Sequence, residues 1–193
     1  GLAAASRVLR GYNDTLAREC LHTAESIWEA HQDKAPGRFA NDRIHAAAEL
    51  LLASGNEGYE DWLVEHPSIV EKHVDNVGWV LGRVMPHIHD QAFQQTIDSA
   101  IREYSHKLRE EGEKTPFGVP YEPNIWGAGW GIQEFGVKGY YLHTGWPQYI
   151  SDQYFLDALN FVLGVHPGSN TASFASGVGS NSLLVAYGVN RAD

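Results

Sequence analysis

From Gln153 to Ser182 the chain reads QYFLDALNFVLGVHPGSNTASFASGVGSNS. Apolar residues recur at helical spacing from Phe155 to Leu163, and the pattern stops at Gly164. The residues that follow are mostly glycine, serine and asparagine, and they show neither helical nor strand periodicity. A long irregular segment after a well-formed helix is uncommon in a compact domain, and it usually has a function or is disordered. We therefore predict a helix over residues 148–163 and an irregular loop over residues 164–193.

Upstream of this stretch the sequence is patterned as a series of amphipathic helices, and no segment alternates like a β-strand. The clearest example runs from Val8 to Ile27, where the apolar spacing predicts one helix over residues 3–31. Further helices are predicted over residues 40–53, from Glu57, from Pro67 with weak points at Gly78 and Gly82, from the cap Asp90 to Gly112, and over residues 128–143. Helices joined by short loops form antiparallel pairs, so the sequence predicts an all-α fold built from helical hairpins.

The composition is that of an ordinary globular domain, because 43% of the 193 residues are hydrophobic and 20% are charged. The net charge of −10 argues against a nucleic-acid partner, which would favour a basic surface. No apolar run approaches the ~20 residues that a membrane-spanning helix needs. Cys20 is the only cysteine, so the chain forms no internal disulfide bond. We expect neither a nucleic-acid nor a membrane partner, and the sequence leaves the oligomeric state open.

The chain is rich in aromatic residues, with six tryptophans, nine tyrosines and seven phenylalanines. Trp126 and Trp130 flank two glycines, which let a large ring stand clear of the backbone. Together with Tyr121 and Trp146 they are candidates for a platform on which the flat face of a sugar ring stacks. The alternative is that these rings fill the core between helical hairpins.

Four stretches of the chain resemble glycoside hydrolase family 9, which includes endoglucanases. They are RFANDRIHAAAELLLASGNEGYEDWL at 38–63, VDNVGW at 74–79, TPFG at 115–118 with Asn124 and Trp126 after it, and DALNFVLGVHPGSNTASFASGVGSNS at 157–182. The last is the most specific, because it keeps the Leu-Gly, the proline and the Ser-x-x-x-Gly-x-Gly core of the family's loop. The resemblance implies an (α/α)6 toroid of the six-hairpin glycosidase type, of which residues 1–193 are a single, incomplete domain.

The resemblance also implies hydrolysis of a β-linked, cellulose-like glycan or a related oligosaccharide, with inversion at the anomeric carbon. An inverting glycosidase uses two carboxyl groups ~6.5–9.5 Å apart, one as acid and one as base. The family's motifs for these carboxylates match no stretch of the chain, so we expect both to lie outside it. The chain is then expected to be truncated at both ends and to be inactive alone. Asp75 and Glu134 lie near aromatic residues and glycines, but neither stands in a catalytic motif, so no catalytic residue is assigned.

The resemblance further implies that residues 164–193 line the sugar cleft. In cellulases of the family a Pro-His-His-Arg motif follows the Gly-x-Gly stretch, whereas this chain has no histidine there and only Arg191 matches, with a two-residue offset. We expect Arg191 to contact sugar hydroxyls or to orient a carboxylate. Turn formation is the alternative role for Ser180 and Asn181, and a loop hydrogen bond is the alternative for His166. The predicted substrate-binding residues are Tyr121, Trp126, Trp130, His166, Ser180, Asn181 and Arg191.

His87 and His89 have metal-binding side chains, but two positions apart they do not share a helix face, so the following Asp90 is interpreted as a helix cap. No cofactor is predicted, although the resemblance allows a structural calcium ion in the intact domain. It also implies a periplasmic or secreted protein. Two other functions stay open: a non-catalytic helical module that binds carbohydrate or acts as a scaffold, and another (α/α)6 hydrolase or lyase.

Overall fold

The structure, a computed structural model, describes residues 1–31, 37–121, 128–165, 169, 171–173 and 177–182. Within these residues the chain is all-α, as predicted, and its β-structure is limited to an isolated bridge between Ala172 and Asn181. None of the described helices is long and apolar enough to cross a membrane. The helices are α1 (Leu2–Leu9), α2 (Asp14–Glu29), α3 (Ala40–Ser54), α4 (Gly58–Glu65), α5 (Pro67–Lys72), α6 (Val74–Val84), α7 (Gln91–Glu113), α8 (Ala128–Gly145) and α9 (Gln153–Leu163).

The chain divides into two compact units, residues 1–101 and residues 102–193. The first unit contains α1 to α6 and the start of α7. The second contains the rest of α7 and the hairpin of α8 and α9. Helices packed in pairs, such as α1 with α2 and α8 with α9, are the hairpins expected of an (α/α)6 toroid.

The prediction of one helix over residues 3–31 is wrong, because the chain breaks between α1 and α2. Gly11 adopts a φ of +81°, and its N–H donates a hydrogen bond to the carboxylate of Asp14 at 2.8 Å. The side chain of Asn13 caps α2 by accepting from the N–H of Leu16 at 3.1 Å. The local turn signal of glycine, asparagine and aspartate therefore prevails over the apolar periodicity.

The apolar stripe on which that prediction rested also faces outward in the described structure. Tyr12 is 91% exposed and Val8 is 73% exposed, and Ile27 is exposed as well. The buried positions of these two helices include Ala17 and Trp28 instead. The spacing correctly identified helical structure, but it did not identify the buried face.

The core of the first unit is built on α3, which spans the residues predicted for the second helix. Ile44, Ala47 and Leu50 of α3 are buried, and α6 packs against this helix. Gly55 ends α3 with a φ of +68°, as a left-handed C-cap. The helix predicted from Pro67 is interrupted at His73 and not at the two glycines, since Gly78 and Gly82 are helical and buried in α6.

A charged group also joins the helices of the first unit. Glu49 of α3 accepts hydrogen bonds from Arg83 of α6 at 2.5 Å and from Arg7 of α1. The Glu49 side chain is only 13% exposed. Removing either arginine would take a partner from a partly buried carboxylate, which is destabilising, so the group links α1 and α6 to α3.

The second unit is organised around the antiparallel hairpin of α8 and α9. The glycines of α8 let the two helices approach closely, because a Cβ at Gly136 would lie 3.1 Å from the Cβ of Ala158. The hairpin turn is longer than predicted, because α9 begins at Gln153 and not at residue 148. Trp146 lies in this turn and is buried, so it belongs to the core and is not part of a stacking platform.

Candidate functional site

The candidate site lies at the end of the hairpin where α8 begins and α9 ends. Because the two helices are antiparallel, Ile132 near the start of α8 packs with Ala158 and Phe161 near the end of α9. Val119, from the turn that precedes α8, joins the same buried cluster. This cluster therefore brings together three segments: the turn at residues 115–121, the first half of α8, and the second half of α9.

The turn at residues 115–118 is the TPFG motif, and its conformation is held by local hydrogen bonds. The Thr115 hydroxyl donates to the carbonyl of Val119 at 2.9 Å, and the N–H of Gly118 donates to the carbonyl of Thr115 at 3.3 Å. Gly118 has a φ of +69°, which favours glycine. Gly112 at the end of α7 leaves room for the turn, because a Cβ there would lie 2.9 Å from the carbonyl oxygen of Gly118.

Two of the predicted sugar-binding aromatic residues lie at the start of α8. The ring of Tyr121 is half-buried and lies against Gly131, where a Cβ would be 2.3 Å from the ring. The neighbouring Trp130 is 83% exposed. An indole ring so exposed adds little to the core, so Trp130 is free to stack on a ligand while Tyr121 supports the backbone beside it.

The segment that follows α9 is held against the end of this helix by a buried serine. Ser173 is 1% exposed, and its hydroxyl donates to the carbonyl of Val162 at 2.9 Å. Its N–H donates to the carbonyl of Asn181 at 2.7 Å. Ser173 therefore joins α9 to the two described parts of the loop.

Two glycines permit this close approach. A Cβ at Gly179 would lie 2.5 Å from the carbonyl oxygen of Leu163, and one at Gly164 would lie 2.4 Å from that of Thr171. Both glycines have positive φ angles, +76° and +81°. Within the Ser-x-x-x-Gly-x-Gly pattern, Ser173 is held by its hydrogen bonds, and the backbone contact at Gly179 leaves no space for a side chain. A Cβ at Gly177 would meet no atom within 4 Å, so its positive φ of +77° is the feature that favours glycine there.

The predicted polar residues of the loop have different roles. Asn181 is exposed, but its side-chain amide donates to the hydroxyl of Thr171 at 3.0 Å and so helps to hold the loop. Ser180 is exposed and makes no side-chain hydrogen bond within the described part of the chain, so its hydroxyl is available to a ligand. Trp126, His166 and Arg191 lie outside the described residues, and their roles stay predictions.

Asp75 and Glu134 do not have the surroundings of catalytic carboxyl groups. Asp75 is exposed and accepts a hydrogen bond from Asn76 at 2.9 Å. Glu134 is exposed on α8 and pairs with Lys138 at 2.6 Å. Exposed carboxylates with neighbours on the same helix are ordinary surface groups. The decision to assign no catalytic residue in this chain therefore stands as a prediction.

The histidine-containing segment before α7 contacts a buried carboxylate of α4 that the sequence did not reveal. Asp90 caps α7, as predicted, by accepting from the N–H of Phe93 at 2.7 Å. Glu60 of α4 is 7% exposed and accepts from the backbone N–H and the imidazole Nδ1 of His89. In the described part of the chain no three histidine, cysteine or acidic residues lie close enough to hold a metal ion. No described group therefore fits the structural calcium ion that the resemblance allows.

The pKa values of this pair are shifted in opposite directions. Burial disfavours the charged form of Glu60, but hydrogen bonds from His89 and from the N–H of Asp90 outweigh it and lower the pKa of Glu60. The Glu60 carboxylate in turn raises the pKa of the exposed His89. Both ionised forms are stabilised by the same contact, which joins α4 to the start of α7.

The match to known families agrees with these motifs. The sequence profile of glycosyl hydrolase family 9 matches residues 1–187. The chain belongs to glycosyl hydrolase family 9. No individual curated protein and no solved structure matches it. Membership of the family makes this a glycosidase domain with a carbohydrate substrate, and it sets aside the alternative of another (α/α)6 hydrolase or lyase.

Proposed function

We propose that this family 9 domain hydrolyses a β-linked, cellulose-like glycan, and that the end of the α8–α9 hairpin forms part of its sugar-binding cleft. The observation that supports the site most directly is the 83% exposure of Trp130 beside the supporting ring of Tyr121. The loop that carries the family's Ser-x-x-x-Gly-x-Gly pattern packs at the same end of the hairpin. An exposed aromatic face and an available Ser180 hydroxyl provide the two kinds of contact that a sugar ring needs.

The proposed chemistry is inversion by two carboxyl groups outside residues 1–193. One carboxylic acid protonates the leaving oxygen while a carboxylate activates water on the opposite face of the sugar. In this scheme Trp130 stacks on one sugar unit and fixes its position relative to the bond that is cleaved. Arg191 holds a substrate hydroxyl or a carboxylate, since its planar guanidinium offers two parallel donors.

Proton NMR of the first-formed product tests the reaction. The complete protein is expected to release the α-anomer from a β-linked oligosaccharide, whereas residues 1–193 alone are expected to release no product. Release of the β-anomer would refute inversion. Binding of glycan by the complete protein without any hydrolysis would instead support the non-catalytic binding module.

A tryptophan substitution tests the position of the cleft. Replacing Trp130 by alanine is expected to lower kcat/KM by about tenfold, ~1.4 kcal/mol, because a stacked sugar loses its apolar contact. Tyr140→Ala is the matched control, since Tyr140 is an exposed aromatic residue further along α8. Equal effects of the two substitutions, or none for Trp130, would place the cleft elsewhere.

A further inference from the structure

A small pocket opens at the same end of the hairpin, between the turn at residues 116–118 and the last turns of α9. Its volume is about 280 Å³, and its lining includes Phe117, Asp157, Asn160 and Phe161. A larger groove of about 470 Å³ runs along the side of the hairpin, but its lining is almost entirely apolar. Of these two, the smaller pocket combines hydrogen-bonding groups with aromatic rings.

The carboxylate of Asp157 has unused hydrogen-bonding capacity in this pocket. Asp157 is half-buried, and its Oδ1 accepts a hydrogen bond from the side chain of Gln153 at 2.6 Å. Its Oδ2 lies next to Gly118, where a Cβ would be only 2.7 Å away. A carboxylate accepts about four hydrogen bonds, so most of this capacity remains. Asn160, three residues further along α9, makes no side-chain hydrogen bond within the described residues.

The apolar side of the pocket is formed by two aromatic rings. Phe117 and Phe161 pack edge to face, with their ring centroids 4.8 Å apart. A sugar unit presents hydroxyl groups at its edge and C–H groups on its faces. A pocket with an acceptor, an amide and aromatic rings matches both parts of such a ligand.

A metal ion does not fit the same lining. Among the described residues that line the pocket, Asp157 is the only acidic one, whereas calcium takes six or more oxygen ligands. The described residues contain no cluster of metal-binding side chains at this place. The chemistry of the pocket therefore favours a neutral, hydroxyl-rich ligand.

We propose that this pocket is a sugar subsite in which the Asp157 carboxylate accepts hydrogen bonds from adjacent hydroxyls of one glycan unit, with Asn160 beside it. The proposal rests on the glycosidase function proposed above, because it adds a position to the same cleft. Gly118 is required for this subsite, since a side chain there would displace the Asp157 carboxylate. A glycan long enough to reach both places contacts Trp130 and Asp157 together.

The test is isothermal titration calorimetry of the complete protein with thio-linked, non-hydrolysable analogues of cellohexaose, xylohexaose and chitohexaose, and of the corresponding disaccharides. The variants are Asp157→Asn, which keeps the shape of the side chain, and Asn160→Ala. Asp152→Asn is the matched control, because Asp152 is an exposed acid at the start of α9 whose side chain forms no cap. Circular dichroism of each variant verifies that it is folded.

For the hexasaccharide that binds, we expect Asp157→Asn to raise the Kd by about tenfold, ~1.4 kcal/mol, and Asp152→Asn to leave it unchanged. Asn160→Ala should weaken the same ligand, and a disaccharide too short to reach the pocket should lose less affinity. If Trp130→Ala weakens binding but neither pocket variant does, the subsite is refuted and the proposed function stands. If the wild-type protein binds none of the sugars, both proposals are overturned.

Discussion

Gly179 and Gly177 provide a matched pair of substitutions that tests how the loop after α9 is held. Their φ angles are nearly equal, +76° for Gly179 and +77° for Gly177. They differ in their surroundings, because a Cβ at Gly179 would meet the carbonyl oxygen of Leu163 at 2.5 Å, whereas one at Gly177 would meet nothing within 4 Å. Replacing each by alanine therefore separates the cost of the backbone conformation from the cost of the close contact.

The conformational cost is common to both variants. A left-handed conformation costs a residue with a Cβ about 1–2 kcal/mol, and the reduced freedom of the unfolded chain offsets about 0.4–1 kcal/mol of this. Gly177→Ala should therefore destabilise the docked loop by about 1 kcal/mol. Gly179→Ala adds an overpacking cost of about 1–3 kcal/mol, because the carbonyl of Leu163 belongs to a helix and cannot easily move. The expected difference is about 2 kcal/mol, or roughly 30-fold in the opening equilibrium.

Amide hydrogen exchange measures this difference at the N–H of Ser173, which donates to the carbonyl of Asn181 and is protected only while the loop is docked. We expect the protection factor to fall roughly 30-fold further in Gly179→Ala than in Gly177→Ala. Protection factors within about threefold of each other, less than ~0.7 kcal/mol, would contradict the close approach of the loop to α9.

Two further predictions concern stability. The pKa of Glu60 is lowered, so its contribution to stability should be present above the ordinary glutamate pKa and be lost as the pH falls through the folded-state pKa. The pKa of His89 is raised, so its contribution should be complete below the ordinary histidine pKa and be lost as the pH rises through the raised pKa. Glu60→Gln should therefore lower the free energy of unfolding by about 1–3 kcal/mol between these limits and flatten its pH dependence in denaturant titrations, whereas an unchanged pH profile would exclude the ionic contact. Gly136→Leu should destabilise the hairpin by about 1–3 kcal/mol, since Ala158 lies against Gly136. Gly129→Leu should instead stabilise α8 by about 0.5–1 kcal/mol, because no atom lies within 4 Å of a Cβ at residue 129. Thermal unfolding of both glycine variants measures these effects, and destabilisation of equal size would show that helix–helix contact is not the cause.

The sequence predicted helices well where the helical spacing of apolar residues agreed with the residues that mark a helix end. Ala40–Ser54 is an example, because its apolar face is buried and Gly55 ends it. The predicted helix over residues 3–31 failed because the apolar periodicity continues across the four-residue break at residues 10–13. The hydrogen bonds of Asn13 and Asp14 decided the local structure there. The break at His73 had no comparable signal, since neither glycine nor asparagine marks it.

Part of the candidate site could be predicted from the sequence, because some of its residues carry a local signal and others are distinguished only by tertiary packing. Trp130 was identified because flanking glycines are visible in the sequence, and its exposure agrees with a surface role. Trp146 has the same side chain but is buried, and only tertiary packing distinguishes the two. Asp157 and Glu60 were missed because each is one acidic residue on an amphipathic helix, and nothing local shows that a turn or another helix start packs against it.

The described contacts show how residues of the glycine-rich segment hold the loop that follows α9. The Ser173 hydroxyl donates to the carbonyl of Val162, and Gly164 and Gly179 lie against backbone carbonyl oxygens, so these three residues are occupied by contacts within the protein. The same docking leaves Ser180 exposed at the hairpin end. In the proposed site, the residues that hold the loop are therefore different from Trp130 and Ser180, which we propose to contact the substrate. Ser173→Ala should lower the fraction of molecules in which the loop is docked, so its effect on glycan affinity should follow its effect on hydrogen exchange. Trp130→Ala should weaken glycan binding while the hydrogen exchange of the loop stays unchanged.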